Sequence, residues 1–515
     1  MKIVKNSHAF VVTGISSSAE RDAVRAHCIP LLQRESFKKP NGDIVYGETR
    51  KYYAFNKDKT ECRFHINDYP NFLEDLRIRG VNLADVEVVE APLYQPTPAI
   101  YAINDYYQPR DNQPVIIQYF LDPFPTIKMC ELETGGGKTL TSLISLSIRQ
   151  SRGLLSIRPQ YFDNWVKAIF GDEEAGKPPI TDIDPERFLV IQGSIQLKDA
   201  IKNAQNGEFN YDFIMISNVT LNRMFKVYEE MGSTVDSYGC EPWELCQVFG
   251  VGTFMKDEGH LDFHANFRMD LYLHVPISIT LSGTFSSENV FIKRMQLLQH
   301  PLNSRAPSIP PTKFRKVKGI RYSINPKREL RHKLRGRSEY NHNQLEESIL
   351  KDKRARPSYL ELIRRVVDDE YMKIRTAKDQ KALILCGRVE MAEVIIQHLL
   401  EHYPEVTIGR YVSGDSFMEV ITNEIIVTTI ISGKAAIDVP NLILAFNTVN
   451  VGSKETNLQA LGRIRELKHL PEIRPQFVYL YTDDISSASY YHQHKIQLFA
   501  SRVFSHHAVD SGIML

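Results

Sequence analysis

The chain is poor in the features that staple or anchor a protein. Six cysteines are spread over 515 residues and none makes a Cys-x-x-Cys pair. That argues against a disulfide framework and a structural zinc site, and suits a reducing compartment. No run of about twenty apolar residues occurs, so no membrane-crossing helix and no membrane partner are expected. The opening MKIVKNSHAFVV carries no apolar segment of secretory length, and a cytoplasmic location is expected. Charge of either sign is also missing in bulk. With 63 Lys and Arg against 62 Asp and Glu, the net charge is +1. A polyanion would therefore have to be held by local basic patches, since no global field draws it in. Repeats of fixed period and low-complexity tracts are absent.

What is present divides into regions. At roughly 100–200 residues per domain, the length fits two to four domains. Residues 1–95 read as a small α+β domain. HAFVVTGI is a strand, and Ser17-Ser-Ala-Glu20 is a capping-box signature opening a helix to about Leu32. Asn41-Gly42 turns one hairpin, and Asn56 to Lys59 turns another between KYYAF and ECRFHI. A helix from Asp68 ends at Gly80. Three prolines in EAPLYQPTPAIY mark a linker. Residues 96–310 then alternate apolar strands with helical patterns (TIKMCEL, GLLSIRP, RFLVIQG, DFIMISN, VGTFMK, ISITLSG). Strands apolar on both faces and separated by helices argue a parallel sheet covered on both sides. Residues 311–345 read as a basic connector, because in 313–337 Glu329 is the only acid. Residues 346–515 resume the alternation with KALILCG, EVTIGRYV, NEIIVTT, NLILAFN and PQFVYLYT. The expected fold class is α/β: two tandem parallel-sheet domains with a small N-terminal α+β domain.

ELETGGGKTLTSLISL, residues 131–146, reads as a phosphate loop between a strand and a helix. Successive backbone N–H groups of Thr134, Gly135, Gly136 and Gly137 can turn inward on phosphates at a helix N-terminus, which favours negative charge. Lys138 would reach the β- and γ-phosphates and the Thr139 hydroxyl would ligate Mg²⁺, with Leu140 following in the first turn. The general pattern wants Gly or Ala where Leu132 stands. Downstream, VGTFMKDEGH ends a strand with Asp257-Glu258. Asp257 would hold Mg²⁺ and Glu258 would polarise the attacking water. His260 and His264 lie four apart, but a zincin needs Glu directly after the first His, so zinc is not expected there.

GGGKT, DEGH, LSGTF and QALGRIRE, in that order, resemble the motif set of a superfamily 2 helicase or translocase of the DExH type, over roughly residues 100–480. Within it the chain is most similar to the phage UvsW-like group, through the short RDNQ entry, Lys256 before the acidic pair, and the small N-terminal domain. The resemblance implies two RecA-like motor domains, ATP and Mg²⁺ as cofactors, and ATP hydrolase activity. It implies adenine contact by Arg110 and Gln113, and nucleic-acid contact by Arg158, Pro159, Ser217, Arg388 and Thr428. Coupling of hydrolysis to movement would fall to His260, Ser282, Thr284, Gly433 and Asp438. Gln459, Arg463 and Arg465 would act on the γ-phosphate. The final arginine of the sixth motif is displaced, since Glu466 stands in its place and Arg465 one residue early. Either Arg465 reaches by a shifted helix register or Arg463 serves alone; Arg463 is favoured for direct contact.

For grip there are the connector and the N-terminal hairpins, with Lys38, Lys39, Arg50, Lys51, Lys57 and Lys59 interleaved by Phe37, Tyr46, Tyr52, Tyr53 and Phe55. The lysines and arginines would contact phosphates without sequence preference, and the rings could stack bases. Charged hairpins with alternate aromatics also describe an ordinary solvated face over a core. Deleting residues 1–95 is expected to weaken DNA binding and leave a basal ATPase. The C-terminal ISSASYYHQHKIQLFASRVFSHH reads as a helix with His492, His494, His506 and His507 on the surface.

Three functions remain open. The first is an ATP-dependent DNA helicase or translocase, monomeric, remodelling branched or forked DNA in recombination, repair or replication, in a host cytoplasm if the chain is of phage origin. The second is a double-strand translocase without strand separation, suggested by FDNW with Trp165. The third is a DNA-binding assembly protein with a decayed ATP site.

Overall fold

In the computed structural model the described residues are 1–515 without 39–43, 111, 134, 174–175, 284, 286, 288, 309–312, 335–338, 413, 417, 431–438 and 468; the side chains at 35–38, 44–46 and 48 are also left out. The Asn41-Gly42 turn therefore lies outside the described residues, although the strands flanking it, Leu32–Lys38 and Ile44–Lys51, pair antiparallel. The chain divides into two units. One comprises residues 1–132, 137–172 and 177–309, the other 133–136, 173–176 and 310–515.

The first helix begins where the capping box sets it. In Ser18–Cys28 the Ser17 hydroxyl accepts from the Glu20 N–H at 3.1 Å, and the Glu20 carboxylate accepts in return from the Ser17 N–H at 3.0 Å. This helix and Tyr69–Ile78 cover a five-stranded sheet ordered Ala54–Phe55, Cys62–His65, Ala9–Thr13, Lys2–Lys5, Glu87–Glu90. Phe10, Phe64 and Phe72 meet beneath them with ring centroids 5.3–5.4 Å apart, and all three are fully buried. Each contributes about 1.5–3 kcal/mol by leaving water.

This small sheet has no separate core. Its apolar residues join those of the first α/β layer in one cluster that runs from Ile3 and Phe10 to Phe263, Phe267 and Met295. Tyr52, read as a base-stacking candidate, is fully buried among Phe263, Phe267 and Phe291, and Tyr53 is buried against Phe55 and Phe64. The stacking expectation is corrected for both: each of these adjacent rings is taken up by packing in the core of the first unit.

The rest of the first unit is a six-stranded parallel sheet ordered Phe188–Ile191, Phe213–Ser217, Gly153–Ile157, Thr253–Lys256, Ile277–Ser282, Ile127–Glu131. The second unit holds a seven-stranded parallel sheet ordered Ile408–Tyr411, Ile425–Thr429, Lys381–Cys386, Leu442–Asn447, Gln476–Tyr481, Lys316–Ser323, Ser505–Met514. Every strand named from sequence in these two layers is present. Two were not anticipated. Lys316–Ser323 lies inside the stretch read as a connector, and its Val317, Ile320 and Tyr322 are buried. Ser505–Met514 pairs with it and contains His506 and His507. The surface reading of the C-terminal histidines is corrected for two of them. His492 is buried, and its Nδ1 lies 2.8 Å from the Tyr479 hydroxyl, which also meets His506 Nε2 at 2.9 Å.

Candidate functional site

The glycine loop leaves the end of strand Ile127–Glu131 and enters helix Lys138–Arg149. Gly135 and Gly137 take left-handed φ values of +85° and +89°, which a side chain would oppose. Gly137 has a second reason to be glycine, since a Cβ there would come within 2.0 Å of Gln113 Nε2. Gln113 is buried at the start of helix Gln113–Leu121, and its Oε1 accepts from the Arg110 backbone N–H at 2.9 Å. The sequence-predicted adenine contact is thus brought beside the loop. Thr139 and Leu140 occupy the second and third positions of the loop's helix. Thr134 lies outside the described residues.

The acidic pair follows strand Thr253–Lys256, flanked by Gly153–Ile157 and Ile277–Ser282. Backbone bonds pin the exit: Asp257 N–H donates to Ser156 O at 3.1 Å and Gly259 N–H to Leu281 O at 2.8 Å. A Cβ on Gly259 would meet Thr280 Cγ2 at 2.3 Å, so the third letter of DEGH is a matter of packing. Glu258 between them is left-handed at φ +49°, uncommon for a non-glycine residue. The Trp165 indole N–H donates to Asp257 Oδ2 at 2.8 Å. Lys138 Nζ lies 3.8 Å from Glu258 Oε1 and donates to Leu132 O at 3.3 Å. Burial first, then the Glu258 charge, pushes the Asp257 carboxyl up to about 6, against the pull of Lys138 and Trp165. His260 Nδ1 sits 2.8 Å from Ser282 Oγ and 3.3 Å from Glu258 Oε2, linking this strand end to the next. The Ser282–His260 relation proposed for coupling is therefore a contact. Its partner Thr284 lies outside the described residues.

Lys256, noted only as a polar residue before the acidic pair, is fully buried and pairs with Asp270 at 2.5 Å. Gln299 Nε2 donates to the other Asp270 oxygen at 2.5 Å. Sequence reasoning missed Asp270 and Gln299, because nothing local marks a carboxylate that a distant lysine needs.

The next strand end toward the sheet edge carries the nucleic-acid candidates. Arg158 follows Gly153–Ile157, with Pro159 opening a turn into helix Phe162–Phe170. On the neighbouring strand Ser217 is buried and caps helix Asn218–Met231, accepting from Val219 N–H at 3.2 Å. Arg158 Nε pairs with Asp262 Oδ2 at 2.6 Å, and Asn218 Nδ2 donates to the same oxygen at 3.2 Å. Asn218 and Asp262 were not singled out from sequence.

In the second unit Arg388 follows strand Lys381–Cys386 and pairs with Glu390 at 3.3 Å and Glu347 at 3.5 Å. Thr428 is fully buried in its strand. Gln459 lies in helix Lys454–Gly462, and the helix stops there: Arg463 is its C-cap and is buried, while Arg465 lies beyond it. Arg465 therefore stands outside this helix. Arg315 of the stretch read as a connector is buried and donates through Nε to the Ile464 carbonyl at 3.1 Å, bracing this loop. Gly433 and Asp438 lie outside the described residues.

Among the described residues only His398, Glu401 and His402 cluster closely enough to hold a metal ion through His, Cys, Asp or Glu, and two of the three are exposed. His264 instead meets the Lys51 carbonyl at 2.8 Å. No described helix is long and apolar enough to cross a membrane.

No family model matches the chain, and no curated protein matches it in sequence. Among solved structures it is similar to S. cerevisiae Dbp5, as a variant bound to a Gle1 variant and IP6. The identity is 11%, the TM-score 0.50, and the match covers 79% of this chain and 90% of that one. Dbp5 bound to RNA and ADP BeF3 matches at 12% identity and TM-score 0.48, over 79% and 90%. The Pyrococcus furiosus Hef helicase domain matches at 13% identity and TM-score 0.45, over 76% and 99%. The first likeness shows the fold: two tandem RecA-like parallel-sheet domains, preceded by a small N-terminal sheet.

Proposed function

We propose that the chain is an ATP-dependent DNA helicase or translocase of the DExH type, related to the phage UvsW-like group, that remodels branched or forked DNA. The observation that carries the reading is the convergence of Gly137, Gln113, Lys138, Asp257 and Glu258 at the loop ends of one parallel sheet, where such folds bind ligands. Four of these residues bear chemistry that phosphoryl transfer requires.

Magnesium fits the donor set. Asp257 is buried beside a second carboxylate, and both disfavour its charge, a condition a divalent cation relieves. Asp257 and Thr139 would hold it, and it would neutralise charge on the phosphates. Lys138, now resting on Glu258 and the Leu132 carbonyl, would turn to the phosphates. That exchange removes the cation beside Glu258 and leaves its carboxylate able to take a proton from water. His260 steadies Glu258 from the Ser282 side. Arg463 or Arg465 would act against the charge that develops on the γ-phosphate.

ATP turnover across single-stranded, duplex, forked and four-way DNA, with RNA as control, tests the reading. Stimulation greatest on branched DNA is expected, with Glu258→Gln binding ATP but lowering turnover about 10²–10⁴-fold. Parental turnover in Glu258→Gln refutes the base assignment. Triplex displacement without strand separation would favour the double-strand translocase. Trp165 gives that alternative no support, since it is buried against Asp257.

A further inference from the structure

We propose that Asp262 couples nucleic-acid binding to the acidic pair: its carboxylate holds Arg158 and Asn218 in the absence of DNA, and a backbone phosphate takes Arg158 from it. The inference rests on the motor reading above and adds the residue through which a strand would be sensed.

The placement follows from the sheet. Strands Phe213–Ser217, Gly153–Ile157 and Thr253–Lys256 are consecutive parallel neighbours, with Ser217 opposite Ile157 and Lys256 opposite Ser156. Their exits therefore open side by side. Asn218 leaves the first, Arg158 the second, and the 257–262 loop the third. One oxygen, Asp262 Oδ2, receives both Arg158 Nε at 2.6 Å and Asn218 Nδ2 at 3.2 Å.

Two properties make this a joint that a ligand can work. First, the pair is open to solvent, with side-chain exposures of 33% for Arg158 and 41% for Asp262. Exposed ion pairs contribute little and exchange readily, so a phosphate, which suits a guanidinium at least as well as a carboxylate does, can replace Asp262. Second, the loop it anchors is short and unrelaxed. Glu258 and Asp262, at its two ends, are both left-handed, at φ +49° and +52°, a conformation that persists where surroundings impose it. Asp262 is tied down by Arg158 and Asn218, and Glu258 is tied by Lys138 and His260. Taking Arg158 away loosens the far end of the loop whose near end carries the proposed base. Asp262 is thus a positioning residue: it acts through Glu258 and touches no reacting atom.

The test is ATP turnover by the full chain, with and without saturating single-stranded DNA, for the parent, Asp262→Asn and Asp262→Glu. Asn adopts left-handed backbone as readily as Asp, and the position is half exposed, so Asp262→Asn is expected to fold; its melting temperature checks this. Its DNA-free kcat should rise about 2–5-fold, the factor that weakening one exposed ion pair can release. KM for ATP should stay within about 2-fold, because the nucleotide contacts are untouched. The DNA-stimulated rate should match the parent, so the stimulation ratio falls by the same factor, and Asp262→Glu should restore most of it. In parallel, Arg158→Ala should weaken DNA binding and lower its salt slope by about one. A stimulation ratio unchanged in Asp262→Asn overturns the coupling, as does a parent whose turnover DNA leaves unaltered. A parent with no ATP turnover at all refutes the motor reading itself.

Discussion

The indole N–H of Trp165 donates to Asp257 Oδ2 at 2.8 Å from a ring that is itself 2% exposed. A side chain that suggested duplex tracking in the sequence is instead a fixed support for the proposed magnesium carboxylate. A hydrogen bond to a charged group is worth about 1.5–3 kcal/mol. Trp165→Phe keeps an aromatic ring over Phe213 and removes the donor. It should lower kcat about 10-fold and raise the magnesium concentration needed for half-maximal turnover. Unchanged magnesium dependence would show that the indole serves packing alone.

Asp257 carries a cost that function imposes. Its carboxyl is pushed up to about 6 by burial and by Glu258. A carboxyl raised in the fold makes ionisation destabilising, so the penalty is absent below the ordinary value near 4, grows between about 4 and 6, and is complete above. Asp257→Asn removes the charge but keeps only one acceptor oxygen for the two donors that the carboxylate serves, the Trp165 indole and the Glu258 N–H. At pH 7.5 and without nucleotide it should stabilise the protein, by at most about 3 kcal/mol, while abolishing turnover. At pH 4 the variant should melt no higher than the parent. A lower melting temperature for the variant at pH 7.5 would mean that the buried charge is already compensated.

The two candidate fingers differ in setting. Arg463 is buried at the end of helix Lys454–Gly462, whereas Arg465 lies on the loop beyond it. Arg463→Ala should lower both melting temperature and kcat, because the aliphatic stem is lost with the charge. Arg465→Ala should lower kcat, by up to about 10³-fold if it is the finger. Full activity in both variants removes the finger from this loop.

Much of this was legible in the sequence because it is written locally. The capping box of Ser17 and Glu20 uses residues three apart, and most of the parallel strands are largely apolar runs. The loop and acid pair follow from strand-loop-helix order. What escaped notice depends on distant partners. Lys316–Ser323 reads KVKGIRYS, and its lysines and arginine mask a strand buried on both faces, with Val317 in one core cluster and Ile320 and Tyr322 in another. Asp270 gains meaning only from Lys256, and Asp262 only from Arg158 and Asn218. His492 looked like surface until Tyr479 and Tyr481 enclosed it.

The N-terminal helices offer a pH test. His27 lies 3.0 Å from Asp68 and 2.7 Å from Asp75. Burial opposes its charge, but the two carboxylates outweigh that and hold it above its ordinary value, while His27 in turn holds Asp68 below its own. A raised histidine gives stability that is full below about 6.5 and lost as pH climbs through the folded value. A depressed Asp68 gives stability present above about 4 and lost as pH falls. The pair's contribution to melting temperature should therefore be greatest between these limits and fall as pH climbs above about 6.5. His27→Gln should flatten the upper limb, and a parent-like slope in that variant would rule His27 out as its source.

Removing residues 1–95 should do more than weaken DNA binding. Those residues finish the core of the first unit: Tyr52 packs on Phe263, Phe267 and Phe291 with centroids 5.0–5.9 Å away. The Arg63 guanidinium covers Trp243 at 4.0 Å, Asn67 donates to the Leu298 carbonyl at 3.1 Å, and Tyr228 donates to Glu61 at 2.9 Å. Each large apolar side chain uncovered costs about 1.5–3 kcal/mol, against a total stability of about 5–15 kcal/mol for a domain. A handful of such losses exhausts it. The truncated chain should be recovered insoluble or melt at least about 10 °C lower, with its ATPase lost alongside the fold. A soluble truncation with parental melting temperature and basal turnover would show that the shared core is dispensable, and would restore the picture of an independent appended domain.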